Sequence, residues 1–575
     1  MKFSKMLSIF CSLLLASALI SCRQQKKYLN DGVFTGKGDG RNGTIEVSIT
    51  VIGGKVCDAK IISETDTPEI AGPAKQQILD AFIRDGNTST IDTVSGATIT
   101  SNGLLDALDA AVAASHGTKQ VSITYHDTEC DIVVIGAGGA GLTAATQVAS
   151  KGIRVIVLEK MNIVGGNTNS ATGGINAACT KEQERLGIKD SKETFFNDTM
   201  KGGHHLNDPD LVHKLVDESS GIIDWLQSPL IGADLSDVGM FGGATNKRIH
   251  RPKGGGAIGT HLIPLLQKAA IAQGADIRLR SKVTDIIEKD GKPSGVKVLY
   301  NDSEYTIKAK AIIIATGGFG SNPEMIEFYN PSLAGFGTTN HPGATGDAFE
   351  MVKKFNAQLI QMEQIQTHPT VVKGTGLMIT EAVRGNGAIL VNREGKRFVD
   401  EMETRDIVSD AVLKCQGKTA FLIFDQGIRE SLRVIESYSR QGVMTQAPSL
   451  TELASKIGIE AEAFEQTVQK YNQFVAEKKD EDFGRSQTSM EMGITKGPFY
   501  AIEVEPAIHH TMGGLKINPD AQVLDKKGLA IPGLFAAGEV TGGIHGANRL
   551  GGNAVADICI FGKIAADSAI KYINK

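Results

Sequence analysis

A glycine-rich loop at residues 136–141, which reads Gly-Ala-Gly-Gly-Ala-Gly, has the spacing GxGxxG. An apolar run at 131–135 precedes it and a helical pattern follows, so its backbone amides and the positive end of the helix can hold a pyrophosphate. Glu159 ends the next apolar run, about 20 residues further on, where its carboxylate can accept hydrogen bonds from a ribose. The spacing predicts a dinucleotide site that includes Gly136, Gly138, Ala140, Gly141 and Glu159.

A second glycine loop at residues 165–174 reads Gly-Gly-Asn-Thr-Asn-Ser-Ala-Thr-Gly-Gly. It resembles the FAD loop of the fumarate reductase and succinate dehydrogenase flavoprotein family, and residues 315–318 (Ala-Thr-Gly-Gly) and 537–539 (Ala-Gly-Glu) resemble that family's other FAD contacts. The resemblance runs from about Asp131 to the C-terminus and implies an FAD cofactor. It assigns further FAD contacts to Asn167, Thr168, Thr172, Gly173, Val283, Asp347, His510, Glu539, Ala554 and Val555.

The way in which FAD is held also follows from this resemblance. Membrane-bound members of the family attach FAD through a histidine in the second glycine loop. Residues 165–174 contain no histidine. The FAD is therefore expected to be non-covalent, as in the soluble periplasmic fumarate reductases.

Five blocks in the rest of the chain are similar to those soluble enzymes and occur in order. A lone histidine or arginine is more often a solvated or internally paired side chain, but five ordered blocks favour a substrate site. The blocks are Thr-His-Pro-Thr at 367–370, Met-Ile-Thr-Glu-Ala-Val-Arg-Gly at 378–385, Thr-Arg-Asp at 404–406, His-His-Thr-Met-Gly-Gly at 509–514 and His-Gly-Ala-Asn-Arg-Leu-Gly-Gly at 545–552.

The residue types in these blocks suit a dicarboxylate, which needs cationic or hydrogen-bond-donating groups at both ends. Arg549 and His509 are predicted to hold one carboxylate. His368 and Thr380, with the neighbouring backbone, are predicted to hold the other. Fixing both ends would align the double bond over the flavin.

The family resemblance also implies the catalytic residues. In such enzymes hydride passes from reduced FAD to one alkene carbon, and an arginine protonates the other. The matching positions here are Arg405 as the proton donor, with Arg384 and Glu381 returning the proton to it. Glu381 is expected to line the substrate-binding site as well.

A second flavin is indicated near the N-terminus. Residues 92–101, which read Asp-Thr-Val-Ser-Gly-Ala-Thr-Ile-Thr-Ser, resemble the flavinylation motif of the small FMN-binding domains of sodium-pumping NADH:quinone reductases. There a flavin transferase joins the FMN phosphate to the last threonine of Ser-Gly-Ala-Thr. The resemblance covers about residues 30–117 and implies a covalent FMN on Thr98 and a flavin transferase as a maturation partner. An ordinary polar turn before a helix is the alternative.

These residues require a particular set of elements to position them. Apolar runs at 131–135 and 154–158 enclose a helical stretch, 142–151, and form a βαβ unit. Because residues 537–539 belong beside that unit, an insertion must separate the two parts of the nucleotide domain. The predicted fold class is α/β: a Rossmann-like FAD domain interrupted by an α+β capping or substrate domain and preceded by a small α+β FMN-binding domain.

The domain boundaries follow from the same motifs. An alternating segment at 44–51 predicts a strand, and an apolar helical pattern at 104–114 ends before a turn. The predicted ranges are 1–22 for a lipoprotein signal peptide, 30–117 for the FMN-binding domain, 128–250 for the first part of the FAD-binding domain, 251–365 for its end and the start of the capping domain, 366–500 for the capping and substrate-binding region, and 501–575 for the last part of the FAD-binding domain.

The N-terminal segment has the composition of an export signal. Lys2 and Lys5 precede an apolar run at 6–20 that is too short to span a bilayer comfortably. The sequence Leu-Ile-Ser-Cys at 19–22 resembles a bacterial lipobox, in which the cysteine is lipidated and becomes the new N-terminus. Cys22 is therefore the predicted lipid anchor, with the catalytic domains outside the cytoplasmic membrane. A plain signal peptide cut near the same place is the alternative.

The composition of the chain argues against some classes of partner and cofactor. The 65 acidic residues outnumber the 60 basic ones, the net charge is −5, and no basic tract could neutralise a run of phosphates. Nucleic acid is therefore not expected as a partner. The seven cysteines include neither a CxxC pair nor a CxxCH haem site, so no metal or haem is predicted.

Electrons are expected to enter through FMN from a membrane donor linked to quinol or NADH.

The leading hypothesis is reduction of fumarate to succinate by an exported flavoprotein. A sibling enzyme acting on urocanate, cinnamate or another 2-enoate is the close alternative, although members that take urocanate commonly carry tyrosine and aspartate where this chain has His368 and Glu381. A flavin electron carrier without its own substrate would explain both cofactors and the anchor, but not the carboxylate-binding residues or Arg405. Succinate oxidation is a further alternative, which a non-covalent FAD of low potential disfavours.

Overall fold

The computed structural model describes residues 29–39, 44–63, 68–88, 91, 98–117 and 125–575. The chain divides into two compact units, Met1–Thr124 and Tyr125–Lys575. Cys22 and the predicted signal peptide lie outside the described residues, as do residues 92–97 of the predicted flavinylation motif. No helix within the described ranges combines the length and apolarity needed to cross a membrane.

The first unit is an antiparallel sheet with two helices. Its strands pair in chain order: β1 (Gly32–Asp39), β2 (Thr44–Ile52) and β3 (Lys55–Ser63). Alternate residues of β2 enter the core because successive side chains of a strand point to opposite faces; they are Ile45, Val47, Ile49 and Val51. Helices α1 (Pro68–Asp85) and α2 (Thr98–Gly117) complete the unit, and Thr98 is the first residue of α2.

The second unit contains a mixed sheet that carries the first glycine loop. Strand β4 (Thr128–Ile135), helix α3 (Gly139–Ser150) and strand β5 (Val155–Leu158) form the predicted βαβ unit, with β4 and β5 parallel. The helix begins three residues earlier than the apolar pattern indicated, because the last residues of the glycine loop form its first turn. All four residues of β5 are buried, as expected for a parallel strand covered on both faces.

The chain then surrounds and extends this sheet. The next elements are β6 (Ile175–Asn176), α4 (Lys181–Arg185), α5 (Lys192–Gly202), α6 (Pro209–Asp217), α7 (Ser219–Gln227), β7 (Asp237–Gly239), β8 (Ile249–Arg251), α8 (Ile258–Ala272), β9 (Asp276–Arg278), β10 (Lys282–Lys289), β11 (Lys292–Tyr300), β12 (Ser303–Ile314), α9 (Pro323–Tyr329), α10 (Asp347–Met351) and β13 (Leu359–Ile360). The main sheet has the order β10-β11-β12-β4-β5-β9, in which β12, β4, β5 and β9 are parallel.

The insertion is an antiparallel sheet with helices packed on it. Its elements are β14 (Ile365–Val372), α11 (Glu381–Gly385), β15 (Ile389–Val391), α12 (Arg405–Lys414), β16 (Ala420–Asp425), α13 (Gln426–Ser431), α14 (Val434–Arg440), β17 (Thr445–Ala447), α15 (Leu450–Ile457), α16 (Ala461–Glu477) and β18 (Phe499–Thr511). The strand order is β14-β18-β16-β15. The insertion has its own hydrophobic core, which includes Phe424 and Phe464. Strand β18 runs through residue 500, where the sequence predicted the return to the FAD-binding domain.

The C-terminal segment rejoins the main sheet. Strands β19 (Gly514–Lys516), β20 (Gln522–Leu524), β21 (Ala530–Ala536) and β22 (Thr541–Gly542) precede helix α17 (Asn553–Ile573). Strand β21 pairs in parallel with the end of β12, so that Ala536 lies opposite Ile314. Helix α17 packs closely on α3, since a Cβ on Gly562 would lie 2.7 Å from the carbonyl oxygen of Ala140. The two parts of the nucleotide domain therefore form one sheet, which confirms the predicted interruption.

Candidate active site

Two adjoining cavities have volumes of about 110 and 400 Å³, and the smaller one lies at the carboxyl ends of β4, β5 and β12. This edge is where open α/β sheets bind their ligands. The predicted FAD contacts divide between the two cavities. Those that line the smaller cavity are Gly136, Gly138, Ala140, Glu159, Val283 and Asp347, and those that line the larger one are Thr172, Gly173, His510, Ala554 and Val555. Both cavities are lined by Asn167, Thr168 and Glu539. The shared residues join the cavities into one elongated cleft.

The glycines of this cleft make room for a ligand. Gly166 and Gly317 have positive φ, and a Cβ on either would meet no atom of the described residues within 4 Å. Gly141 is the one predicted contact that lines neither cavity. A Cβ there would lie 1.9 Å from the carbonyl oxygen of Gly136, so this glycine permits close packing of α3 on the loop.

Glu159, at the end of β5, can contact both the glycine loop and a ligand in the cleft. Its carboxylate oxygens accept hydrogen bonds from the backbone N–H groups of Ala137 and Met161, both at 2.9 Å. An ionised carboxylate has about four acceptor sites. Glu159 can therefore brace the glycine loop and still accept hydrogen bonds from ribose hydroxyls in the cleft.

Polar groups remain available at the other end of the cleft. The Nε2 atom of His510 is buried and has no partner among the described residues. Beside it, the carboxylate of Glu539 accepts hydrogen bonds from Asn167 Nδ2 at 3.2 Å and from the Thr511 N–H at 3.1 Å, and burial raises its pKa. An elongated cleft with a phosphate-binding loop at one end and an unpaired donor or acceptor at the other fits FAD.

The five predicted substrate blocks converge on the larger cavity, with His368 on β14, Thr380 and Glu381 at the start of α11, Arg405 at the start of α12, His509 on β18 and Arg549 in the loop before α17. All six residues line this cavity. Arg384 does not line it, and its side chain is fully buried. It lies one helical turn after Glu381, where side chains three residues apart are neighbours.

Arg405, Glu381 and Arg384 form a line that leads away from the cavity. Arg405 Nε donates to Glu381 Oε2 at 3.1 Å, and Arg384 Nη2 lies 3.9 Å from the same oxygen. Burial alone would raise the pKa of Glu381, but the two guanidiniums outweigh it and hold that pKa below its ordinary value. Burial is also the main reason that the pKa of Arg384 is lowered. The middle group is thus a carboxylate held ionised between two cations.

Gln366 connects the two arginines of the cavity, although no sequence motif pointed to it. Its Oε1 accepts hydrogen bonds from Arg405 Nη1 at 3.2 Å and from Arg549 Nη2 at 3.1 Å. Its Nε2 donates to Asn548 Oδ1 at 2.5 Å and to the Arg549 carbonyl oxygen at 2.8 Å, which fixes the orientation of the amide. The one available signal was its position directly before the Thr-His-Pro-Thr block.

His368 and His509 act as neutral groups. The backbone N–H of Thr370 donates to His368 Nδ1 at 3.3 Å, so a neutral ring carries its hydrogen on Nε2, which is buried without a partner among the described residues. The Nδ1 atom of His509 lies 2.7 Å from the Thr339 hydroxyl. Burial first, and Arg405 second, hold the pKa of both histidines well below 6.5.

The positive charge of the cavity therefore comes from the arginines. Burial and then the Arg405 charge lower the pKa of Arg549 to about 9, which still leaves it protonated at neutral pH. Arg405 and Arg549 are the cationic groups that line the cavity. His368 and Thr380 line the same cavity and offer neutral hydrogen-bond donors.

Comparison with known proteins identifies the family. The FAD binding domain family model matches residues 131–555, and the FMN-binding domain family model matches residues 40–113. The chain is 48% identical over 471 residues to a fumarate reductase (cytochrome) of Shewanella frigidimarina, which is 81% of each chain. It belongs to the fumarate reductase family of FAD-binding flavoproteins.

Two further comparisons support the assignment of this chain to the fumarate reductase family. The NADH:fumarate oxidoreductase of Klebsiella pneumoniae (strain 342) is 42% identical over 85% of this chain and 53% of that protein. The open conformation of a flavocytochrome c3 fumarate reductase superposes with a TM-score of 0.67 at 42% identity, over 78% of this chain and 79% of that one. The chain is thus an FAD-dependent oxidoreductase with FAD and FMN as cofactors, and the predicted fold class and cofactors are confirmed.

Proposed function

We propose that this flavoprotein reduces the C=C bond of fumarate to succinate. Its fumarate reductase relatives support 2-enoate reduction as the class of reaction. The observation that carries the proposal is the contact of Arg405, in the cavity, with Glu381 and through it with Arg384. An electron carrier without a substrate has no use for a cationic cavity backed by such a line of proton-exchanging groups.

The two carboxylates of a dicarboxylate match two sets of groups that line the cavity. Arg549, with His509, would bind one carboxylate through charge-assisted hydrogen bonds. His368 Nε2–H and the Thr380 hydroxyl would bind the other. The Nε2 of His368 is buried and has no partner among the described residues, which supports this assignment, since buried polar groups nearly always have partners.

The reaction needs one hydride and one proton. Bound, reduced FAD would supply the hydride, and by the family resemblance Arg405 would protonate the alkene carbon that does not receive it. Arg549 and the hydrogen-bond donors stabilise the negative charge that develops on the substrate. Glu381, 3.1 Å from Arg405 and 3.9 Å from Arg384, would then return a proton to Arg405.

An arginine is an unusual acid because the guanidinium pKa in water lies above about 12. The partner in this step is a carbanion that is a far stronger base than water. Transfer concerted with the formation of that carbanion therefore makes an arginine sufficient.

The test measures steady-state fumarate reduction with a chemically reduced dye, and fumarate binding from changes in the FAD spectrum. Arg405→Ala should still bind fumarate while losing turnover by about 100-fold or more. Arg405→Lys should retain only a little activity, because a shorter ammonium is misplaced and errors of about 1 Å can cost roughly 100-fold. Near-normal turnover in Arg405→Ala would contradict the assignment of the proton donor.

Arg393→Ala is the matched control for these variants. Arg393 lies in the same insertion, pairs with Glu503 and lines neither cavity. Its removal should leave fumarate turnover and binding unchanged. A loss equal to that of Arg405→Ala would mean that any disturbance of the insertion abolishes activity.

A sibling activity on urocanate, cinnamate or another 2-enoate is the second candidate. His368 and Glu381 both line the cavity at positions where members that take urocanate commonly carry tyrosine and aspartate, which favours fumarate. A substrate screen with the reduced dye separates the candidates. Turnover of another enoate without fumarate turnover would support the sibling enzyme, and no turnover of any enoate would support the electron carrier.

Electrons are proposed to reach FAD from an FMN joined as a phosphoester to Thr98. Thr98 begins helix α2 of the unit that matches the FMN-binding domain family. A flavin transferase would attach the FMN, and a quinol- or NADH-linked membrane donor would reduce it. The FAD, in contrast, is proposed to be non-covalent, because residues 165–174 contain no histidine.

Mass spectrometry of tryptic peptides from the native host tests this attachment. The peptide that contains Thr98 should carry the mass of FMN, and Thr98→Ala should remove it. Thr100→Ala is the control, because Thr100 lies two residues further on and should not be modified. An unmodified Thr98 peptide would exclude the attachment site.

The chain is further proposed to be an exported lipoprotein anchored through Cys22. The basic start, the apolar run and the lipobox-like end support this proposal. Labelling with a fatty acid should mark the wild-type protein and not Cys22→Ser. Equal labelling of both proteins would refute the anchor.

A further inference from the structure

One wall of the larger cavity is formed by helix α14, which no sequence motif singled out. The residues of this segment that line the cavity are Val434, Ser437, Tyr438 and Gln441. Their spacing of three, four and seven residues places them on one face of a helix. The insertion therefore presents a side of α14 to the substrate site.

Tyr438 lies at the point where this wall meets Thr380. Its side chain is buried, and its hydroxyl oxygen accepts a hydrogen bond from the backbone N–H of Thr380 at 3.0 Å. The hydrogen of that hydroxyl has no acceptor among the residues that the structure describes. Buried tyrosine hydroxyls usually find a partner. The cavity that Tyr438 lines is the place from which the missing acceptor can come.

Three neutral donors line this part of the cavity, because Thr370, which contacts the His368 ring, bonds to Ile379, the residue directly before Thr380. They are the Tyr438 hydroxyl, His368 Nε2–H, which is buried without a partner in the described part of the chain, and the Thr380 hydroxyl, which does not cap its own helix. A carboxylate offers about four acceptor sites and can accept from all three. A neutral or apolar group would leave some of these donors unpaired. Burial also raises the pKa of Tyr438 to about 12, so the hydroxyl keeps its hydrogen at neutral pH.

We propose that Tyr438 is a substrate-binding residue that donates its hydroxyl hydrogen to the carboxylate held by His368 and Thr380. Through this bond it would set the preference of the enzyme for dicarboxylates over 2-enoates with a single carboxylate. This inference deepens the proposed function and rests on it.

A purely structural role for Tyr438 has a different signature. If its hydroxyl only accepts the Thr380 N–H, its loss would disturb the start of α11 and thus Glu381. Turnover would then fall equally for every substrate. A donor to the distal carboxylate, by contrast, matters only for a substrate that has one.

The test compares Tyr438→Phe with the wild-type protein, both with FAD bound. The substrates are fumarate and acrylate, which keeps the alkene and one carboxylate but lacks the distal one. With reduced dye as donor, we expect kcat/KM for fumarate to fall about tenfold or more, mainly through KM, and acrylate to change less than about twofold. Dissociation constants from spectral titration of the oxidised protein should show the same difference without requiring turnover.

Two further variants make the comparison specific. Tyr471→Phe removes another buried tyrosine hydroxyl of the insertion that has no partner among the described residues and lines neither cavity, so both substrates should be unaffected. Tyr438→His retains a ring donor and should restore part of the fumarate preference. FAD content and thermal midpoint report whether each variant folds.

The outcomes separate this inference from the proposed function. Equal losses for fumarate and acrylate in Tyr438→Phe, or no change for either, would overturn the role of Tyr438 while leaving fumarate reduction intact. A wild-type protein that reduces no 2-enoate would overturn the proposed function itself. A selective loss for fumarate supports both.

Discussion

Replacing Gln366 by leucine should uncouple the two arginines of the active site. The amide oxygen of Gln366 accepts one hydrogen bond from each guanidinium, 3.2 Å from Arg405 and 3.1 Å from Arg549. Leucine keeps the approximate volume and removes both of these bonds, together with the two that the amide Nε2 donates to Asn548 Oδ1 and to the Arg549 carbonyl oxygen. The two cations then repel each other without the oxygen between them, so both the proton donor and the carboxylate clamp should shift.

The size of the effect can be worked from these contacts. A hydrogen bond to a charged group contributes about 1.5–3 kcal/mol. Water that enters from the cavity can replace part of this stabilisation. If one of the two bonds is not replaced, the net loss of stabilisation is about 2 kcal/mol. That loss corresponds to a decrease in kcat/KM of about 30-fold. Both a lower kcat and a higher KM are expected, because Arg405 and Arg549 have different roles.

The assay is steady-state fumarate reduction with a reduced dye, paired with spectral titration of fumarate binding. Gln147→Leu is the control, because Gln147 is also a buried glutamine, bonds to Asp567 at 2.6 Å and lines neither cavity. It should change kcat/KM by less than about twofold. If Gln366→Leu behaves like this control, the bridge between the arginines has no part in catalysis, and the geometric reasoning fails.

Three further predictions follow from the same structure. Burial first, and nearby guanidiniums second, hold the pKa values of His368, His509 and His510 well below 6.5. Below about pH 6.5 the unfolded chain binds protons that the folded protein excludes, so the thermal midpoint of unfolding should fall on acidification. A midpoint that does not change with pH would contradict this. Gly141→Ala should yield protein depleted of FAD, because its Cβ would lie 1.9 Å from the Gly136 carbonyl oxygen. Gly221→Ala, whose Cβ would meet no atom of the described residues within 4 Å, should retain full FAD absorbance. His368→Tyr combined with Glu381→Asp should weaken fumarate turnover and admit an aromatic enoate in the substrate screen, and unchanged fumarate kinetics would remove both residues from the site.

The parts of this protein that the sequence determined are local in the chain. The glycine spacing at 136–141 requires a tight turn between a strand and a helix, and period-two alternation in β2 places Ile45 and Val47 in a core. Both features depend only on residues that are close together in the sequence, so they can be predicted without knowing the fold. The identities of Arg405, Glu381 and Arg549 as functional candidates came from family resemblance, which likewise needs only the order of residues.

Tertiary structure alone decided which of these residues touch and what surrounds them. Arg405 meets Glu381 across 24 positions within the insertion. Gln366 reaches Arg549 across 183 positions because the insertion packs on the loop before α17. The burial that keeps His368 neutral, and leaves its Nε2 without a partner in the part of the chain that the structure describes, arises from such packing. Tyr438 enters the site through the face that α14 turns to the cavity. Such contacts depend on how distant segments pack in three dimensions, and no local pattern of residues encodes that packing.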